Sequence, residues 1–77
     1  MKIKYDRTAD AVYIYLNDKK YAYGKDLDDS RRIDFDTDGK PIGIEILNVT
    51  KGVSTDNFPE QEKVIKLLEG KKIRIFA

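Results

Sequence analysis

The stretch Arg31-Arg32-Ile33-Asp34-Phe35-Asp36-Thr37-Asp38-Gly39-Lys40-Pro41-Ile42-Gly43-Ile44-Glu45-Ile46-Leu47 decides the fold. Apolar and polar residues alternate on both sides of Asp38-Gly39, a dipeptide favoured in type I′ hairpin turns. A two-residue turn there pairs strand Arg31–Thr37 with strand Lys40–Leu47. It sets Phe35 opposite Ile42 and Ile33 opposite Ile44 on one face. The other face receives Asp34 opposite Gly43, and Arg32 opposite Glu45 as a cross-strand ion pair. Thr37 and Lys40 close the hairpin as a hydrogen-bonded pair. Pro41 then falls at a non-hydrogen-bonded position, where its missing N–H costs this pair nothing.

Towards the N-terminus the alternation continues. Ile3 and Tyr5 lie two apart, as do Val12, Ile14 and Leu16 in Ala11–Leu16, where Tyr13 and Tyr15 take the opposite side. Asp6-Arg7-Thr8-Ala9-Asp10 supplies turn-forming side chains between them. A register with Ile3 against Ile14 and Tyr5 against Val12 keeps the aliphatic residues together, and a slip by one destroys that segregation. After a second turn at Asn17-Asp18-Lys19-Lys20, Tyr21–Leu27 reads as a strand, with Gly24 a bulge or weak point. The register between Ala11–Leu16 and Tyr21–Leu27 stays open at this level.

Towards the C-terminus, Asn48–Asn57 reads as loop. Asn57 with Glu60 forms a capping pattern, Pro59 suits a first helical turn, and Val64, Leu67 and Leu68 recur at helical spacing with Ile65 at the edge. Gly70 fits the helix C-cap, and Lys71–Phe76 forms a last strand with Ile73 and Ile75 on one side. The fold expected is one α+β domain over residues 1–77. About six strands form an antiparallel sheet or meander, and the single C-terminal-region helix covers its Ile/Val/Leu face.

Composition narrows the function classes. The 77 residues include no Cys and no His, which removes disulfides, thiolate chemistry, the usual neutral-pH base and the usual zinc ligand. Lys and Arg number 15 against 14 Asp and Glu, a net charge of +1 that argues against a strong nucleic-acid binder. No apolar run reaches the roughly 20 residues of a membrane span, and no signal-peptide core is visible. A soluble, cytoplasmic domain is expected, so the Asn48-Val49-Thr50 sequon carries no meaning. Charge is uneven: Asp26–Asp38 holds six Asp against two Arg, while Glu60–Ala77 holds five basic and three acidic residues. Such surfaces can complement each other between chains, although a solvated surface explains them as well.

Three blocks stand out together: Tyr5-Asp6-Arg7-Thr8-Ala9-Asp10-Ala11-Val12-Tyr13-Ile14, Asp34-Phe35-Asp36-Thr37-Asp38-Gly39, and Gly43-Ile44-Glu45-Ile46-Leu47. In order and spacing they resemble the small prokaryotic domain of unknown function 2283 family, over about residues 3–48. The resemblance implies a compact β-rich domain without an established activity. Some members of that family are encoded beside small toxin-like proteins, which implies an antitoxin or partner-binding role. It assigns no catalytic residue, and the segment from about Ser54 on lies outside it.

Three features carry candidate chemistry. Asp34-x-Asp36-x-Asp38-Gly39-x5-Glu45 matches the EF-hand calcium loop, whose spacing wraps carboxylates around the ion. The flanks alternate like strands rather than helices, and the hairpin already accounts for Asp38-Gly39. Calcium binding through Asp34, Asp36, Asp38 and Glu45 is therefore the alternative reading. Tyr13, Tyr15, Tyr21 and Tyr23 form the second feature. On a sheet face away from the helix they suit a protein interface. Base stacking would need a basic surround, for which Lys2, Lys4, Arg7, Lys19 and Lys20 are the candidates. Asp6 and Asp10 form the third: a carboxylate pair for acid–base work, or simply turn caps. Ser30 and Ser54 sit in no nucleophile motif. The expectation is a non-enzymatic protein-interaction module without cofactor, a homodimer or the antitoxin-like partner of a small toxin.

Overall fold

The computed structural model describes residues 1–76. Five strands form one antiparallel sheet: β1 (Lys2–Asp6), β2 (Ala11–Tyr15), β3 (Tyr23–Asp26), β4 (Arg31–Phe35) and β5 (Pro41–Leu47). Their spatial order is β1-β2-β5-β4-β3, so the late strand β5 lies between β2 and β4. Beyond it come a 3₁₀ turn at Val49–Lys51, β6 (Val53–Ser54), helix α1 (Gln61–Gly70) and β7 (Ile75–Phe76). No helix is long and apolar enough to cross a membrane among the described residues.

Aliphatic alternation sets the register. Ile3 pairs with Ile14 and Tyr5 with Val12, as segregation of the apolar side chains requires. Val12 pairs with Ile46, Ile14 with Ile44 and Ile33 with Ile44, which gathers one apolar face across β2, β5 and β4. Helix α1 covers that face. Val12, Ile14, Ile44 and Ile46 form one buried cluster with Val64 and Leu68 of the helix and with Val49, Val53, Phe58 and Ile73. Arg31, on the same side, lays its guanidinium over the Phe58 ring at 5.2 Å and donates to the carbonyls of Ser54 and Asp56. Its charge is thus shared between these carbonyls and the Asp28 carboxylate, which lies 2.9 Å from Nε.

The hairpin differs from the two-residue turn in a specific way. The Asp36 N–H donates to the Lys40 carbonyl and the Gly39 N–H to the Asp36 carbonyl, with Gly39 at φ 77°. That is a three-residue loop with glycine in the left-handed position. Asp36, 5% exposed, accepts from the Asp38 and Lys40 N–H groups, both at 2.9 Å, through Oδ1. This Asx bonding outweighs the Asp-Gly preference for the shorter turn. Phe35 consequently pairs with Pro41 rather than Ile42, and the register shifts before Asp34 meets Gly43. Ile42 becomes the extra residue, and its carbonyl accepts from Leu16 and Asn17 at 2.9 and 3.4 Å. Gly24 is not the bulge; it pairs regularly with Asp34.

The helix ends also lie elsewhere than the pattern implies. Asn57 (φ 67°) belongs to a turn that buries Phe58, and the helix starts after Glu60 (φ 53°), which makes no side-chain cap. Gln61 instead donates its side-chain amide to Thr55. Gly70 lies inside the last turn. The left-handed stop falls on Lys72 (φ 59°), with Lys72 N–H to Glu69 and Ile73 N–H to Leu68. This Schellman ending is set by Leu68 and Ile73, which meet in the core, rather than by glycine. The last strand pairs within its own chain, parallel to β6, Val53 against Ile75 and Ser54 against Phe76.

Candidate functional site

With one face under α1, the other is left open, and it is the place where the unusual side chains meet. Two cross-strand rows run over it. One reads Lys4, Tyr13, Glu45, Arg32, Asp26; the other Lys2, Tyr15, Gly43, Asp34, Gly24. Asp34 therefore has a glycine on each side.

Those glycines let long side chains lie flat. A Cβ on Gly43 would sit 1.9 Å from the Tyr13 hydroxyl, and one on Gly24 would sit 2.4 Å from the Arg32 guanidinium. Tyr13 leans across Gly43 and donates its hydroxyl to Asp34 Oδ2 at 2.7 Å. Arg32 leans across Gly24, donates to Asp26 Oδ1 at 2.9 Å and stands with Nε 3.5 Å from Asp34 Oδ1. Tyr21 reaches the same guanidinium, its hydroxyl 3.4 Å from the nearer nitrogen. Tyr15 meets Tyr13 edge to face at 4.8 Å, and Lys2 lies over the Tyr15 ring at 5.9 Å. Burial together with the Asp34 carboxylate pushes the Tyr13 phenol well above the ordinary tyrosine range. The hydrogen bonds that Arg32 donates to Tyr21 and Asp26 hold its guanidinium even more firmly protonated than usual.

The four tyrosines do not share one face. Tyr13 and Tyr15 lie on the open side and Tyr21 joins them through Arg32. Tyr23 pairs with Phe35, stacks on it at 5.1 Å, and so belongs to the side of Ile33. Tyr21 is 53% exposed, Tyr15 41% and Leu47 39%, and these three present apolar surface on the open side. Arg32 stands opposite Glu45, as the hairpin register requires, but its charge turns to Asp26 and Asp34 instead. Adjacent carboxylates compete for one guanidinium, and those reached across the bare Gly24 backbone win.

The calcium-loop carboxylates are dispersed. Asp34 takes the Tyr13 hydroxyl, Asp36 takes turn amides, Asp38 sits at the hairpin tip and Glu45 stands on the open face. Among the described residues, no group of three His, Cys, Asp or Glu side chains is placed to hold a metal ion. Asp6 and Asp10 also point apart in their bonding. Asp6 Oδ1 accepts from the Ala9 N–H at 3.0 Å, whereas Asp10, at φ 55°, accepts from the Thr50 N–H and hydroxyl. Asp10 thereby ties the first turn to the 3₁₀ turn.

The open face carries both signs of charge. Its β1 edge presents Lys2, Lys4 and Asp6. Beside its β3 edge a depression of about 630 Å³ is bordered by Asp26, Asp28, Asp29, Arg32, Glu45 and Leu47. Asp28 accepts from the Ser30 N–H and from Arg31 Nε, both at 2.9 Å, which holds its carboxyl below the ordinary range. Pattern reading passed over the part played by Gly24, Gly43 and Arg32. The available signal was Gly43, which the hairpin register sets opposite Asp34 in strands otherwise rich in β-branched residues.

The family described as "Protein of unknown function (DUF2283)" matches residues 2–49, more than half of the chain. The uncharacterized protein MJ0789 of Methanocaldococcus jannaschii is 39% identical over 66 residues, 86% of this chain and 56% of that protein. The chain thus spans little more than half the length of this relative. The similarity reaches past residue 49 into α1. No solved structure matches the chain.

Proposed function

The chain belongs to that family of unknown function, and from this premise we propose that it is a non-enzymatic protein-interaction domain. Its partner is a second copy of itself, and the surface is the open face of the sheet. One observation carries the reading: a five-stranded sheet has one face sealed by a helix and the other dressed with ordered tyrosines and paired charges. Tyrosine adds large contact area at low entropic cost, and its hydroxyl tolerates water at the rim. The Tyr13–Asp34–Arg32 network is already ordered in the single chain, so association loses little side-chain freedom there.

Light scattering on a sizing column tests this. The expected result is a mass that rises towards the dimer as concentration goes from micromolar to millimolar. Tyr15→Ser should shift that rise to higher concentration without altering the thermal midpoint much. A mass that stays monomeric throughout overturns the self-association.

A further inference from the structure

We propose that the chain carries a second binding site, for a phosphomonoester, in a depression where the first turn of the sheet meets the segment that follows α1. Tyr5, on its border, packs against the core side of the sheet, so this site lies apart from the open face and does not depend on self-association.

The depression has a volume of about 350 Å³. Its lining joins buried Val49 and Ile73 to exposed Thr50 and to three cations, Arg7, Lys72 and Arg74. The fold draws these cations from opposite ends of the chain. Each is anchored. The Arg7 guanidinium lies over the Tyr5 ring at 4.7 Å. Arg74 donates to the Lys51 carbonyl at 3.1 Å. The Lys72 backbone is fixed at φ 59° by the bond from its N–H to the Glu69 carbonyl.

Their charge is not spent within the chain. Arg31, Arg32 and Lys63 pair with carboxylates, but among the described residues no ion pair includes Arg7, Lys72 or Arg74. No acidic side chain lines the depression. Asp10 reaches its edge through Thr50, whose hydroxyl donates to Oδ2 at 2.7 Å. Three cations less that one carboxylate leave a surplus of two positive charges. A phosphomonoester matches it, with nearly two negative charges and three acceptor oxygens for the guanidinium N–H groups. A phosphodiester brings one charge. Arg7 already covers the Tyr5 ring and no other aromatic lines the depression, so a nucleobase finds nothing to stack on. The volume suits a small ester.

Titration of the ¹⁵N-labelled full chain with ribose 5-phosphate tests the site. Because the cations are exposed and screened, the dissociation constant should be about 1 mM at low salt, with saturable shifts at the Thr50, Lys72, Ile73 and Arg74 amides. Arg7→Gln and Lys72→Asn should each weaken binding about threefold to fivefold, and Asn tolerates the left-handed backbone. Asp10→Asn keeps an oxygen for the Thr50 N–H and should tighten binding about threefold. Lys40→Gln removes the same charge at the far end of β5 and should change affinity less than about twofold. Dimethyl phosphate, a singly charged diester, should bind at least about fivefold more weakly. A phosphoserine peptide about tenfold tighter than ribose 5-phosphate, or more, identifies a phosphorylated partner as the source of the ester. A smaller advantage identifies a free metabolite, and both uphold the site. Shifts that do not saturate, a Lys40→Gln effect as large as that of Arg7→Gln, Asp10→Asn weakening the binding, or dimethyl phosphate binding as tightly overturns the proposal and leaves self-association standing.

Discussion

On the inner face of the sheet, Val12, Ile14, Ile44 and Ile46 meet Val64 and Leu68 of the helix. On the outer face, one residue further along the same strands, Tyr13 and Arg32 lie flat over Gly43 and Gly24 and meet at the Asp34 carboxylate. The backbone is shared, and the period of two separates the chemistries. Inside, stability comes from apolar area removed from water and from close packing. Outside, it comes from directional bonds whose partners would otherwise be hydrated, so the net gain per bond is small. The inner face therefore holds the fold, and the outer face is free to serve contact.

Substitutions on the two faces should reveal that asymmetry. Leu68→Ala has the largest expected effect, a loss of about 2–5 kcal/mol in denaturant unfolding. A domain of this size has a total of order 5–10 kcal/mol, so the variant should be only marginally folded. A loss below about 1 kcal/mol would mean that the helix does not seal the inner face.

Gly43→Ala comes next. It displaces the Tyr13 ring outward and breaks the bond to Asp34, at about 1 kcal/mol. The tyrosine absorbance titration should then show one phenol returning towards the ordinary range. A loss as large as that of Leu68→Ala would erase the distinction between the faces.

Tyr13→Phe isolates the hydroxyl. At neutral pH it should cost up to about 1 kcal/mol. The unfolded phenol ionises near pH 10, whereas the folded one stays protonated above that value. The unfolded state thus binds fewer protons, and the stabilisation from Tyr13 declines as pH rises beyond 10. The gap between the unaltered chain and Tyr13→Phe should narrow there, and a gap independent of pH up to 11 would contradict the upward shift of the half-buried phenol.

Asp28→Asn is the smallest change. Asp28 is largely exposed, so its bonds to Ser30 and Arg31 contribute a few tenths of a kcal/mol. Because its folded carboxyl is held below the ordinary value near 4, that contribution is present at neutral pH and fades under acid. Unfolding midpoints of the two chains should converge by about pH 2. A difference that grew as pH fell would reverse the assignment.

Much of the inner face is legible in the residues. Ile3 against Ile14, Ile33 against Ile44 and the helical stripe Val64–Leu68 all follow from apolar periodicity, because burial has one sign and a strong magnitude. The turn and the caps are less legible, since several residue types compete for the same few hydrogen bonds. Asp36 lengthened the hairpin loop, and Lys72 took a left-handed position usually given to glycine. The open face was legible only in part. Tyr13 and Tyr15 follow from the period of two, but Tyr23 depends on a strand order that places β5 between β2 and β4. The choice Arg32 makes among Glu45, Asp26 and Asp34 depends on the space above Gly24, which no pairing rule contains.

The central position of β5 also governs when the sheet can exist during synthesis. Hairpin β1–β2 and the β3–β4 pair are made first, and an isolated two-stranded ribbon is marginal in water. Neither has a neighbour until residues 41–47 leave the ribosome, because β5 is the strand that joins them. Sheet formation is thus a late, single event that closes both halves at once. Its timing keeps both ribbons unpaired until then, so a pause in translation before Pro41 would leave two sticky ribbons waiting for the strand that joins them, and Val12 and Ile14 stay uncovered until α1 follows.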